Sequence, residues 1–92
     1  MIRSFADRNT ERLFRDEPVR AFAGFERSAR RKLLLLHTAR TLDELRIPPG
    51  NRLEALQGDR KGQHSIRVDR QWRLCFRWQD GDAFAVEIVD YH

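Results

Sequence analysis

The apolar residues of this chain change period partway along it, and that change decides which fold class is open to it. Phe22, Phe25, Ala29, Leu33 and Leu36 fall three or four positions apart, with Arg27, Arg30 and Arg31 on the opposite side. This spacing predicts an amphipathic helix over roughly 22–39. Further on, Trp72, Leu74, Phe76 and Trp78 alternate in "WRLCFRW", and Phe84, Val86 and Ile88 alternate in "FAVEIVDYH". A period of two belongs to strands with one buried face. Helices first and an antiparallel meander afterwards predict an α+β fold, with helices packed on one face of a small antiparallel sheet.

Shorter signals fill in the order. "RNTERLFRDE" places Leu13 and Phe14 on an otherwise charged helix that Asp7 or Asn9 can cap and Pro18 ends. Thr41 and Glu44 have capping-box spacing over the short turn "TLDEL", and "IPPGN" then breaks the chain. "MIRSF", "RLEAL" and "HSIRV" are short strand candidates, and "QGDRKGQ" is a glycine-bounded basic loop. At 92 residues the chain is expected to form one domain, 1–92, with a modest core.

The last two strands can be registered by hand. A two-residue Asp80-Gly81 turn would put their apolar sets on opposite faces, because a slip of one position inverts every side chain. A three-residue loop, Gln79–Gly81 or Asp80–Asp82, restores the match and is the expectation here. Arg73, Arg77, Glu87 and Tyr91 then share the face away from the core. That face is too polar for packing; it is either solvated or a site.

The formal charge is +4 and the basic side chains are sixteen Arg against two Lys. Arginine's planar fork grips phosphate bidentately and stacks on bases, which points to nucleic acid; a GC-rich genome inflates arginine as well. The single Cys75 excludes an internal disulfide and fits a reducing cytoplasm. No Cys/His cluster has zinc-ligand spacing, no secretion signal opens the chain, and the longest aliphatic run, 33–36, is far too short for a membrane span. His37, late on its helix, reads as a partner of the helix dipole, and His64 as a surface residue.

Asp90, Tyr91 and His92 gather an acid, a phenol and an imidazole. Asp90 and His92 point the same way along a strand, roughly 7 Å apart, a gap that admits one phosphate between a proton acceptor and a proton donor. Cleavage of RNA by its own 2′-hydroxyl needs only such parts. A base takes the hydroxyl proton, an acid protonates the leaving 5′-oxygen, and cations offset the charge building on phosphorus, with no metal required. Arg73, Arg60, Lys61 and Arg67 are the candidate cations.

The run of "MIRSF", "LEAL", "GDRKG", "SIRV", "WRLCFRW" and "VEIVDYH" resembles the HigB-type killer toxins (plasmid maintenance system killer proteins) of the RelE/ParE superfamily, most densely over 52–92. The resemblance implies a RelE-like fold with two N-terminal helices and a short helical turn on the sheet. It implies a ribosome-dependent endoribonuclease that cuts mRNA in the decoding site without a cofactor. A HigA-like helix-turn-helix antitoxin would be its partner. Catalytic roles carry onto Asp90, Tyr91, His92 and Arg73, and RNA contacts onto Arg60 and Lys61. The chain departs from relatives at Gln57, where many carry Lys, and at Glu54, where some carry His; both are kept as candidate RNA-contacting positions with Arg67. A gyrase-inhibiting toxin of ParE type and a non-catalytic basic RNA- or ribosome-binding module are the competing functions.

Overall fold

The computed structural model describes residues 1–90, so Tyr91 and His92 lie outside the described residues. Helix α1 spans Arg8–Phe14 and starts where the Asp7 side chain accepts a hydrogen bond from the Thr10 backbone N–H at 3.1 Å. Helix α2 spans Glu26–Thr38. It begins later than the apolar spacing predicts because Gly24 takes a positive φ of 97°, which ends the preceding 3-10 turn Arg20–Phe22 before the helix can start. Phe22 is still buried, and Phe25 stacks on Trp72 with ring centres 4.7 Å apart. The capping box of Thr41 and Glu44 forms as expected and opens the 3-10 turn Leu42–Arg46.

Four antiparallel strands follow in sheet order β1-β2-β3-β4: Glu54–Ala55, His64–Arg67, Trp72–Gln79 and Asp82–Asp90. "RLEAL" thus yields only a two-residue strand. Ala29, Leu33 and Leu36 of α2 and Leu13 of α1 share a core with Ile66, Leu74, Phe76, Val86 and Ile88 of the sheet. Both helices therefore cover one sheet face, and the other is left for β-strand side chains and loops.

The β3–β4 hairpin solves the register problem differently from the expected three-residue loop. Gln79 pairs with Asp82, so the turn is the two-residue Asp80-Gly81, with positive φ at both (51° and 82°) as a twisted hairpin turn requires. The register then shifts between Cys75 and Arg77, beyond which Cys75 faces Glu87 and Leu74 faces Ile88. The extra residue sits in a β-bulge around Ala85, whose φ is 51°. Before the bulge, buried Ala83 faces Trp78 on the core side and Phe84 faces Arg77 on the other. After it, Val86 and Ile88 return to the core. An alanine at positive φ is strained where glycine is not. Ala85→Gly is therefore expected to stabilise the fold by about 0.5 kcal/mol, a melting temperature rise of about 3 °C by calorimetry.

"MIRSF" runs along the free edge of β4 as two parallel bridges, Ile2 to Ala83 and Phe5 to Val86. The Ser4 hydroxyl accepts the N–H of the bulge residue Ala85 at 2.8 Å, so the bulge leaves this donor paired. Asp82 holds Arg3 at 3.1 Å and the N-terminal ammonium at 3.4 Å. The hydrogen bond from Arg3, with the ammonium behind it, keeps this carboxyl below the usual aspartate range. His37 is not simply a dipole partner. Its Nδ1 accepts the Ile2 N–H at 3.1 Å and so ties the chain start to α2.

Candidate nucleic-acid interface

A cleft of about 290 Å³ opens on the sheet face away from the helices, lined by Arg52, Glu54, Arg67, Asp69, Arg70 and Arg73. Strand pairing builds its centre. Arg67 and Arg73 are direct partners across β2 and β3. Like charges directly opposite each other destabilise a sheet, so this pair demands compensation.

Arg73 receives most of it. The side chain is buried, with Nε donating to the Ser65 hydroxyl at 2.8 Å and Nη2 donating to the Arg52 carbonyl at 2.6 Å and the Ser65 carbonyl at 3.4 Å. Glu54 Oε1 lies 3.9 Å from the same Nη2. Its guanidinium is thus a strut between β3, β2 and the approach to β1, with one edge toward the cleft. Arg67, half-buried, donates from Nε to the Asp69 carbonyl at 3.0 Å.

Two turns bring the other arginines. Between β2 and β3 the Asp69 carboxylate accepts the N–H groups of Gln71 at 2.8 Å and Trp72 at 2.9 Å, an Asx turn that leaves Arg70 exposed. Before β1, buried Asn51 donates to the carbonyls of Leu45 and Ile47, both at 3.2 Å, and accepts from the Lys32 ammonium. Arg52 follows at a positive φ of 47°, which aims its carbonyl at Arg73.

Of the residues singled out by sequence, Arg73, Arg67 and Glu54 meet in this cleft. Asp90 is not among the residues lining the cleft: at the end of β4 it pairs with Trp72, in phase with core-facing Ile88, and accepts from Gln71 Nε2 at 2.9 Å. Arg60 lies elsewhere: its Nη1 donates to Glu87 and to Gln63, both at 3.1 Å, above the middle of the sheet. Lys61 and Gln57 are exposed on the same loop, outside the cleft lining. Cys75 is fully buried opposite Glu87, and its burial pushes the thiol above its usual range, so it is an ordinary strand residue. Tyr91 and His92 fall outside the described residues.

Sequence reasoning missed Arg52 and Arg70. The signal for Arg70 was present: laying "SIRV" against "WRLCF" across "DRQ" puts Arg67 opposite Arg73 and Arg70 at the tip. Nothing in "IPPGNR" marks Arg52 as a left-handed residue.

A chain so folded has recognisable relatives. It is 42% identical over 85 residues, 90% of each chain, to Toxin HigB-1 of Vibrio cholerae serotype O1. It is 44% identical over 41 residues, 45% of each chain, to a protein of Proteus vulgaris named Endoribonuclease HigB. Among solved structures it superposes on YafQ from E. coli with a TM-score of 0.64 at 17% identity, covering 98% of this chain and 91% of that one, a likeness of fold. The profile of the family described as HigB-like toxin, RelE-like toxin of type II toxin-antitoxin system HigB, matches residues 3–92. Matched over nearly its whole length, the chain belongs to the HigB-like family of RelE-like toxins of type II toxin-antitoxin systems.

Proposed function

We propose that this toxin is a ribosome-dependent endoribonuclease that cuts mRNA by metal-independent attack of the 2′-hydroxyl on the adjacent phosphodiester, and that a HigA-like helix-turn-helix antitoxin restrains it in the cytoplasm. One observation carries the reading: Arg67 stands directly opposite Arg73, and Arg52 and Arg70 close around them. A like-charge arginine pair at a cleft suits the receipt of an anion, and the relative named an endoribonuclease supports a phosphodiester as that anion.

The chemistry assigns the parts. The 2′-oxygen forms its bond to phosphorus as the bond from phosphorus to the 5′-oxygen breaks, leaving a 2′,3′-cyclic phosphate and a 5′-hydroxyl. Asp90, at the β4 end beyond the cleft lining, would accept the 2′-hydroxyl proton, and His92 would return one to the leaving oxygen. Tyr91 orients the phosphate or stacks a base. Arg73 and Arg67 meet the charge that grows on the non-bridging oxygens. Glu54 is the carboxylate that an incoming phosphate displaces from Arg73. Arg60 and Lys61, with Gln57 on the same loop outside the cleft lining, would supply contacts to the flanking RNA or ribosomal RNA.

The test adds purified toxin to programmed, translating ribosomes and maps mRNA ends, with naked RNA alongside. Cuts that appear only on ribosomes, in the reading frame, are expected. Absence of cuts combined with supercoiling defects in cells would instead identify a gyrase poison, and salt-sensitive binding without cuts would identify a non-catalytic RNA-binding module.

A further inference from the structure

The run "LLLL" at 33–36 supplies α2 with more leucine than one buried face needs. Leu33 and Leu36 enter the core. Leu34 stands 58% exposed, and Leu35 is only partly covered. Together with Thr38 and Pro48 they line a groove of about 440 Å³ whose remaining wall is Arg31 and Lys32. Ile47, next to Pro48, is 72% exposed. Two of the three large hydrophobic side chains exposed among the described residues thus flank one groove. A cluster of that kind on a small charged domain marks a contact surface.

The groove's chemistry selects its occupant. No carboxylate lines it, in contrast to the arginine cleft with Glu54 and Asp69. Among the described residues Arg31 makes no ion pair. An RNA backbone would suit Arg31 and Lys32 but would leave the leucine floor wet. A second copy of this chain, with a net charge of +4, would bring two basic rims together. A peptide with leucine-type side chains on one face and carboxylates beside them satisfies both floor and rim.

We infer that this groove seats an acidic amphipathic segment of the cognate antitoxin. The inference rests on membership of the toxin family and not on the nuclease reading. Burial and the neighbouring Arg31 already hold the Lys32 ammonium below its usual range, and a carboxylate placed at the rim would relieve that repulsion. The groove lies on the helix layer and the arginine cleft on the opposite sheet face. A segment seated here therefore anchors the antitoxin without filling the cleft.

The experiment measures binding of the full-length toxin to its cognate antitoxin by calorimetry. Leu34→Asp and, separately, Ile47→Asp are each expected to weaken binding about 100-fold, and Arg31→Glu about tenfold. Circular dichroism melts should match wild type, because both hydrophobic positions are exposed. Growth arrest by the variants expressed alone should persist, whatever the molecular target proves to be. Unchanged antitoxin affinity in both aspartate variants would overturn the inference. So would a wild-type dimer that these variants dissociate, or loss of ribosome binding with antitoxin binding intact.

Discussion

Replacing Arg73 with alanine is expected to destabilise the toxin by about 3 kcal/mol, a fall in melting temperature of roughly 15 °C for a domain of this size. The buried Ser65 hydroxyl, a share of the buried Ser65 carbonyl and the part-buried Arg52 carbonyl lose their donor. Glu54 loses its neighbouring cation as well. Arg73→Lys keeps a charge but cannot reach Ser65 and Arg52 with one fork, so about half of that loss is expected to remain. Thermal denaturation of the two variants checks the ordering. The consequence for function is direct. A toxin with Arg73→Ala is expected to lose activity partly because the approach to β1, and with it Arg52 and Glu54, is no longer fixed. Loss of killing in that variant would therefore be no measure of the phosphate role proposed for Arg73. Arg67, half-buried and held by a single hydrogen bond to a backbone carbonyl, is the cleaner probe of the cleft.

The parts of this molecule that sequence reveals are those where burial writes a period. The three-four spacing through Ala29, Leu33 and Leu36 found α2, and the alternation through Leu74 and Phe76 found β3, because each set must face one core. Helix starts depend on a single backbone angle, and Gly24 moved the start of α2 by one turn without changing the spacing. The bulge at Ala85 left no trace, since alanine carries no signature of positive φ. The Asp80-Gly81 turn does carry its signature, but a two-residue turn fits the alternation of both strands only with a bulge, which the residue types do not mark. The cleft follows the same division. Arg67 and Arg73 sit on strands whose pairing can be derived, while Arg52 is delivered by an irregular turn held through Asn51, which composition does not reveal.

Two substitutions separate chemistry from binding at the proposed site. His92→Ala removes the group assigned to protonate the leaving oxygen; cleavage on ribosomes is expected to fall about 10³-fold with ribosome binding within about twofold of wild type. Such a loss is confined to the turnover step because the arginines proposed to hold phosphate are left unchanged. Arg67→Glu acts the other way. It replaces one of a facing pair of cations with an anion, relieves the Arg67–Arg73 repulsion in the free toxin, and repels RNA phosphate. Its stability should equal or slightly exceed that of wild type, while affinity for the programmed ribosome falls at least tenfold and its salt dependence becomes shallower. Parallel single-turnover cleavage and salt-titrated binding distinguish the two outcomes. A His92→Ala toxin that cuts at the wild-type rate removes the imidazole from the mechanism. An Arg67→Glu toxin that binds and cuts normally removes the cleft itself, because no other described surface sets two arginines directly opposite each other across paired strands.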